Sequence, residues 1–234
     1  MQLFYAPDIA GEYFTLEEQE SKHIIRVLRL KAGDIIHITD GKGNLHTAAL
    51  NSEDPRRCEV RITETIKEFG KRNYHLHLAV APTKNINRYE WLLEKATEIG
   101  VDVLTPLICQ RSERRIIKVD RLNKVITAAM KQSVKAYHPS LHEARTFSKF
   151  IAQEFEGDKF IAYVEEGDHP ALQSLYATGR DALILIGPEG DFSPEEVQMA
   201  IDNGFRTISL GKSRLRTETA GVVAVHTVAM VNME

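Results

Sequence analysis

The most informative stretch of the sequence is Ala182-Leu183-Ile184-Leu185-Ile186-Gly187-Pro188-Glu189-Gly190, where an apolar run ends in a loop of glycine and polar residues. A short apolar run that ends in turn residues predicts a buried strand. Further along, Leu210-Gly211-Lys212-Ser213-Arg214-Leu215-Arg216-Thr217-Glu218-Thr219-Ala220 repeats the form of strand, loop and helix. In an open α/β sheet, ligands bind beyond the carboxyl ends of the strands, where such loops lie. The two loops together predict one cofactor pocket.

The sequence around these loops alternates predicted strands with predicted helices. Ser193, Pro194 and Glu196 form the start signal of one helix, as cap, first helical residue and capping-box partner. The alternation favours a mainly parallel α/β sheet. Strands are expected near 74–81, 103–109, 159–164, 182–186 and 206–210, and helices near 86–99, 120–136, 147–155, 170–177, 194–203 and 218–231.

The first 70 residues are predicted to be rich in β-strand. Ile35–Thr39 leads into a turn at Asp40–Gly43, and further strands are expected at 45–50 and 58–66. One helix interrupts these strands, and it is expected to begin at a capping box formed by Thr15 and Glu18. Several short strands around one helix indicate a small barrel. The polar break at 69–73 then divides the chain into predicted domains at 1–72 and 73–234.

The composition is that of a soluble globular protein, with 234 residues of which 43% are hydrophobic and 27% charged. Cys58 and Cys109 lack metal-ligand spacing, none of the nine histidines forms a ligand pattern, and buried reduced thiols are expected. The start of the chain has no signal-peptide pattern, and the apolar tract at 221–231 is too short to span a membrane. These features predict a cytoplasmic protein without a metal or a membrane segment.

Charge is unevenly distributed along the chain. The net charge is −3, yet residues 111–149 hold ten Lys and Arg against three acidic residues, whereas 150–204 hold two against twelve. Such polarity allows a basic surface for phosphates on an acidic protein. From charge alone, a solvated helix face is an equally good interpretation.

Each loop has a purely structural alternative. The Gly-Pro-Glu-Gly loop taken alone is more typical of a tight turn than of a ligand site. In the second loop Thr217 stands at a helix start with free N–H groups, and Arg216 can bind a carboxylate or phosphate. The structural alternative is an ordinary N-cap beside a surface arginine, which has the same sequence pattern. The glycine spacing is wrong for a dinucleotide-binding oxidoreductase or a P-loop.

The pair of loops, with Asp191-Phe192-Ser193 completing the first, resembles the SPOUT methyltransferase superfamily. More narrowly it resembles the RsmE family, which methylates N3 of a uridine in 16S ribosomal RNA. Similar matches run through most of the chain: His23-x-x-Arg26-Val27-Leu28-Arg29-x-x-x-Gly33, Glu94–Val101 followed by Pro106, and Lys131-Gln132-Ser133 with Pro139.

Two departures from the family pattern stand out. Asp191 occupies the second of two paired glycines, and Asp is among the less costly replacements if that position needs a positive φ. Lys131 and Lys135 stand where the family commonly has an acidic residue and an arginine, and lysine lacks the bidentate phosphate geometry of arginine.

The resemblance implies a PUA-like β-barrel RNA-binding domain, followed by an α/β SPOUT domain with a C-terminal trefoil knot. It also implies a homodimer and S-adenosylmethionine bound in the knot. The implied cofactor-binding residues are Ile186, Gly187, Pro188, Glu189, Gly190, Leu210, Gly211, Leu215, Arg216, Thr217, Thr219 and Ala220.

Methyl transfer to a uracil nitrogen needs the N3 proton to leave and the developing anion to be stabilised. Arg216 is the predicted stabiliser, and Glu218 and Glu189 are the candidate proton acceptors. The partner is expected to be 16S rRNA of the small ribosomal subunit, held through phosphates and therefore strongly dependent on salt. The candidate RNA-binding residues are His23, Arg26, Arg29, Lys84, Arg111, Arg114, Lys131, Gln132, Ser133 and Lys135.

Two alternatives stay open. A related SPOUT methyltransferase could act on tRNA or on a ribose hydroxyl, although the barrel and the 23–33 signature favour the ribosomal substrate. A non-enzymatic RNA-binding or ribosome-assembly protein would need the barrel and the basic face without an intact cofactor pocket, and the complete 215–220 loop argues against it.

Overall fold

Two β-sheets of different construction organise the chain, whose computed structural model describes residues 2–164 and 169–233. The chain divides into two compact units. The first comprises the residues up to Lys71 together with Thr127–His138, and the second comprises Arg72–Ile126 and the residues from Pro139 onward.

The sheet of the first unit has five strands and is curled into a half-barrel. Strand β1 pairs in parallel with β3, and the remaining pairs are antiparallel. Inside lie buried side chains such as Phe4, Ile38 and Val60. The predicted small barrel is confirmed in this form, and its strands, in the spatial order β1-β3-β4-β5-β2, are β1 (Leu3–Tyr5), β2 (Tyr13–Thr15), β3 (Ile35–Thr39), β4 (Leu45–Leu50) and β5 (Glu59–Ile66).

The helix of this unit differs from the prediction at its start. Helix α1 (Glu18–Lys22) continues into a π-helical turn at His23–Val27. The expected capping box is wrong: Thr15 belongs to β2, where it pairs with Glu59, and Glu17 stands at the N-cap without a side-chain hydrogen bond. Pairing with a distant strand has overridden the local signal.

The segment 133–138 completes the first unit. Gly43 N–H donates to Ala136 C=O, and His138 N–H donates to Gly41 C=O, both at 2.9 Å. Gly43 has φ 102°, and a Cβ there would lie 2.5 Å from the Tyr137 ring, so only glycine fits. The barrel unit is therefore built from two separated pieces of sequence.

The sheet of the second unit has seven strands, and each described pair is parallel, which confirms the predicted mainly parallel α/β sheet. The spatial order is β12-β10-β11-β6-β7-β8, with β9 also pairing with β7. The strands are β6 (Leu76–Val80), β7 (Val103–Ile108), β8 (Ser140–Leu141), β9 (Arg145–Thr146), β10 (Asp158–Ala162), β11 (Ala182–Ile186) and β12 (Arg206–Ile208).

The predicted helices of this region are all present, four of them shorter than expected. Helix α3 ends at Gln132, before Val134, whose left-handed conformation with φ 55° cannot continue a helix; the part of the chain that belongs to the first unit begins within this helix, at Thr127. Strand β11 is buried along its whole length between two apolar clusters, as its composition predicts. The helices are α2 (Ile86–Ile99), α3 (Val119–Gln132), α4 (Phe147–Ile151), α5 (Leu172–Leu175), α6 (Pro194–Asp202) and α7 (Thr217–Val231).

Helix α7 returns from the edge of the sheet to its centre. It follows the edge strand β12, yet it packs on β6, β11 and α2. A Cβ on Gly221 would lie 2.6 Å from Leu92 Cδ1, so this glycine allows α7 to approach α2 closely. This return is the crossing at which the expected knot would close.

Cys58 and Cys109 are buried, as expected, and burial raises the pKa of both thiols. No helix within 2–164 and 169–233 has the length and apolar character that crossing a membrane requires. Nor do these residues include a group of three or more His, Cys, Asp and Glu that could hold a metal ion.

Candidate cofactor site

A cavity of about 980 Å³ opens where β10, β11 and β12 end. Because these strands lie side by side, their carboxyl ends meet at one edge of the sheet, the usual ligand position in an open α/β fold. Its described lining is Ala162, Tyr163, Val164, His169, Ala171, Ile186, Gly187, Pro188, Glu189, Gly190, Asp191, Ile208, Ser209, Leu210, Gly211, Lys212, Ser213, Arg214, Leu215, Arg216, Thr217 and Ala220.

A tight turn and a buried ring give the first loop its shape. Asp191 N–H donates to Pro188 C=O at 2.9 Å, which closes the turn. A Cβ on Gly187 would lie 3.1 Å from the ring of Phe192, which is fully buried. A larger residue at 187 would therefore push against a ring that has no room to move.

Asp191 occupies the left-handed region, with φ 61°. The position thus meets the condition under which Asp is an inexpensive replacement for Gly. Its Oδ1 accepts from Phe192 N–H at 2.8 Å, and its Oδ2 accepts from Val164 N–H at 3.2 Å. The carboxylate therefore ties the first loop to the chain that follows β10.

The second loop brings a helix start to the cavity. Gly211 has φ 126°, and its N–H donates to Ser209 Oγ at 3.2 Å. Helix α7 begins at Thr217 as predicted, and Arg216 at its N-cap makes no side-chain capping bond. The first-turn N–H groups of a helix lack intrahelical partners, so this end of α7 suits a ligand with acceptor atoms.

The predicted cofactor-binding residues lie together, with one exception: Thr219 is outside the described lining of the cavity. Thr217 and Ala220 both line it because residues three apart share one face of a helix. Thr219, between them, points away from that face.

The three predicted catalytic residues separate in the structure. Arg216 is exposed and lines the cavity, as does Glu189, whose Oε1 accepts from Lys84 N–H at 2.9 Å. Glu218 is buried and outside the described lining. Its Oε1 lies 3.8 Å from Arg88 Nε, so it is placed between helices rather than at the cavity.

The candidate RNA-binding residues of the first unit differ in exposure. Arg26 and Arg29 are exposed on the π-helical turn and just after it, and Arg29 has φ 58°. Lys131 is only 20% exposed and binds the carboxylate of Glu20, while His23 packs edge-on against Phe4. The remaining candidates here are Gln132, which is exposed, Ser133, whose Oγ donates to Ala129 C=O, and Lys135, which is half-buried.

The candidate RNA-binding residues of the second unit, Lys84, Arg111 and Arg114, form ion pairs or hydrogen bonds with other protein groups. Lys84 Nζ forms an ion pair with Glu113 at 2.8 Å, which raises the pKa of Lys84. Arg111 Nη1 donates to Gly190 C=O, and Arg114 donates to the carbonyls of Thr83 and Lys84. Their guanidinium groups therefore bind the polypeptide in this structure.

Several lining residues were not predicted as site residues. Lys212 and Arg214 could have been predicted from the sequence, because together with Arg216 they place three cationic side chains within five residues of a strand-to-helix loop. Tyr163 and His169, whose rings lie 5.8 Å apart, gave no local signal because the fold brings them to the cavity.

Comparisons with known proteins agree with this geometry. The model of a family described as an RNA methyltransferase domain matches residues 70–229, and that of an RNA methyltransferase PUA domain matches residues 16–63. The chain is 31% identical to "Ribosomal RNA small subunit methyltransferase E" of Synechocystis, over 96% of this chain and 75% of the relative.

Two solved structures are similar over nearly the whole chain. One is a probable rRNA-methyltransferase from Porphyromonas gingivalis, with a TM-score of 0.93, 42% identity, and coverage of 100% of this chain and 99% of that one. The other is a ribosomal RNA small subunit methyltransferase E from Neisseria gonorrhoeae bound to S-adenosyl methionine, with a TM-score of 0.90, 26% identity, and coverage of 99% and 98%.

Proposed function

The chain belongs to the family of ribosomal RNA small subunit methyltransferase E, and we propose that it transfers a methyl group from S-adenosylmethionine to N3 of a uridine in 16S rRNA. The observation that carries this proposal is the cavity, since both loops of the family pattern line it. The family match places this enzyme among RNA methyltransferases with S-adenosylmethionine as the methyl donor.

The residues present fit S-adenosylmethionine. Gly211, in a left-handed conformation, has open space where a Cβ would stand, so its backbone is open to a ligand. The uncapped start of α7 offers N–H donors for acceptor atoms of the cofactor. When bound, S-adenosylmethionine supplies a methyl group already activated on a sulfonium. The groups that would hold it are the two loops at 186–190 and 210–217, with Ala220.

The protein's contribution to the reaction is to position the uracil and to stabilise its negative charge. Arg216 places a guanidinium at the cavity, where it would stabilise the anion that develops as N3 loses its proton. Glu189 is the better candidate for accepting this proton than Glu218, because Glu189 lines the cavity and Glu218 is buried beside Arg88.

The RNA would be held by the exposed arginines of the first unit, Arg26 and Arg29. A π-helical turn followed by a non-glycine residue with positive φ is typical of functional positions. We propose that residues 1–72, with the segment 127–138 of the same unit, act as the PUA-like RNA-binding domain, and that the rest of 73–234 acts as the methyltransferase domain. The proposed location is the cytoplasm. The small ribosomal subunit is the proposed substrate.

We also propose a homodimer formed through α2 and α7. These helices pack on each other, and they leave Trp91 42% exposed and Met230 49% exposed. Trp91 and Met230 are the candidate contacts of this interface, because burial of exposed large apolar side chains stabilises an association. We propose that a second copy of the chain packs against these two helices.

The deciding experiment is methyl transfer from isotopically labelled S-adenosylmethionine to unmodified small ribosomal subunits, with the nucleosides identified by mass spectrometry. We expect labelled 3-methyluridine. Label in another nucleoside or at a ribose would contradict the proposed position and favour the alternative RNA substrate. Failure to bind the cofactor, together with absence of label, would favour the non-enzymatic RNA-binding protein.

A further inference from the structure

Three consecutive loops at one edge of the second sheet are joined by arginine. Strands β11, β6 and β7 are neighbours, and the loops that follow them contain Glu189, Lys84 and Arg111 respectively. Glu189 belongs to the cofactor cavity, whereas Lys84 and Arg111 are outside its described lining. Contacts between these loops therefore connect the cavity to a basic segment beside it.

Arg111 holds the cofactor loop directly. Its Nη1 donates to Gly190 C=O at 2.7 Å and to Phe192 C=O at 3.3 Å. Its aliphatic stem lies against Gly190, since a Cβ there would be 3.5 Å from Arg111 Cβ. A single nitrogen of this side chain thus donates to two carbonyls at the end of the turn that lines the cavity.

A second connection runs through Arg114. Its Nε donates to Thr83 C=O at 3.0 Å and its Nη2 to Lys84 C=O at 2.7 Å. Lys84 N–H in turn donates to the Glu189 carboxylate. Arg114 therefore fixes the backbone that orients Glu189.

The same segment also holds the helix that follows the cofactor loop. Gln110 N–H donates to Glu196 Oε1 at 2.8 Å, and the other oxygen of Glu196 accepts from Ser193 N–H in the capping box of α6. The loop Gly187–Phe192 is thus held at its end and at the helix beyond it by residues 110–114.

We propose that residues 110–114 are a positioning element for the cofactor loop, with Arg111 as its main residue, and that Arg111 supports cofactor binding through this loop rather than by binding RNA phosphates. This inference rests on the proposed function, because it names S-adenosylmethionine as the ligand of the loop. Charged hydrogen bonds to backbone carbonyls fix the loop before the cofactor arrives, which lowers the entropy lost on binding.

The test is the dissociation constant for S-adenosylmethionine, measured by calorimetry on the full chain without RNA. We expect Arg111→Ala to weaken cofactor binding by about tenfold or more, the scale of one lost charged hydrogen bond. Arg111→Lys should also weaken it by several-fold, because the lysine side chain is one bond shorter and its nitrogen does not reach the position of Arg111 Nη1.

Arg115→Ala is the matched control. Arg115 lies in the same loop and carries the same charge, but its Nη2 donates to Gln110 C=O of its own loop at 3.0 Å. We expect Arg115→Ala to weaken cofactor binding much less than Arg111→Ala does, because Arg115 bonds to Gln110 whereas Arg111 bonds to the cofactor loop itself. A phosphate contact at Arg111 predicts the opposite result, with cofactor affinity retained in both Arg111 variants and RNA affinity lower in Arg111→Ala.

The outcomes separate this inference from the proposed function. A parent chain that does not bind S-adenosylmethionine would overturn the proposed function and this inference with it. A parent that binds it, with both Arg111 variants within twofold of the parent, would overturn only the inference. If circular dichroism shows that Arg111→Ala is unfolded, Arg111→Lys is used alone, and a dissociation constant within twofold of the parent would overturn the inference.

Discussion

Asp191 combines an unfavourable backbone conformation with two favourable hydrogen bonds. A residue with a Cβ costs roughly 1–2 kcal/mol in the left-handed region, and a short polar side chain offsets this by local bonding. Here the carboxylate accepts from Phe192 N–H and Val164 N–H, so these two bonds offset the cost of the left-handed conformation.

Substitution at Asp191 should separate these two effects. We expect Asp191→Ala to lower the free energy of unfolding by about 2 kcal/mol, since it loses the acceptors and keeps the strain. Asp191→Gly loses the same acceptors without the strain, and should be about 1 kcal/mol more stable than the alanine variant. Urea unfolding at a constant m-value measures both. An alanine variant as stable as the glycine variant would show that strain is absent.

Arg216 is the residue on which the proposed chemistry depends most. If it stabilises the uracil anion, Arg216→Ala should lower kcat by about 10²- to 10³-fold, the usual loss for a transition-state donor. The dissociation constant for S-adenosylmethionine should change much less. Single-turnover methylation and calorimetry measure the two quantities. Retention of both turnover and affinity would remove Arg216 from the mechanism.

At the scale of elements, local signals predicted what local interactions determine. The capping box of Ser193 and Glu196 is present at the start of α6, because both of its bonds lie within four residues. The Thr15 cap failed, because a strand pair with Glu59, far away in sequence, claimed that residue. The bond of Arg111 to Gly190, 79 residues away, leaves no local signal, so the sequence did not predict it. The predicted role of Arg111 in RNA binding stays a prediction.

The close contact of α2 and α7 depends on Gly221. A methyl group at this position would meet Leu92, which is fully buried and cannot move aside at low cost. We expect Gly221→Ala to lower the free energy of unfolding by about 1–3 kcal/mol, although alanine favours a helix. Thermal and urea unfolding measure it.

The control for Gly221 is the double variant with Leu92→Ala, in which the space for the methyl group is provided. Its destabilisation should be smaller than the sum of the two single changes, by about 1 kcal/mol. Strict additivity would mean that the two side chains do not meet.

At the scale of the whole molecule, the unequal distribution of charge left the partner undecided, because a basic segment can be a solvated face. In the structure Arg111 and Arg114 donate hydrogen bonds to backbone carbonyls, and Arg26 and Arg29, which lie outside the basic segment, are exposed. The RNA-binding role of these residues stays a prediction. The homodimer was predicted from resemblance alone, and it stays a prediction.

A dimer through α2 and α7 makes a direct prediction for Met230. A parent of 26.4 kDa should elute as a species of about twice that mass, and Met230→Glu should weaken the dimer by about tenfold or more, because a charge would be buried in an apolar contact. Light scattering over a range of concentrations measures it. Met233→Glu, two residues beyond α7, is the control and should stay dimeric. A monomeric parent would overturn the proposal.

The two-piece construction of the barrel unit affects how the protein is made. Translation delivers the five barrel strands first, then residues 72–126, and only afterwards the segment whose Ala136 and His138 bond to the turn at Gly41–Gly43. The five strands therefore leave the ribosome before the segment that completes their unit, and residues 72–126 of the second unit are synthesised in between. A fragment that ends after the five strands would therefore lack residues 127–138, which complete this unit.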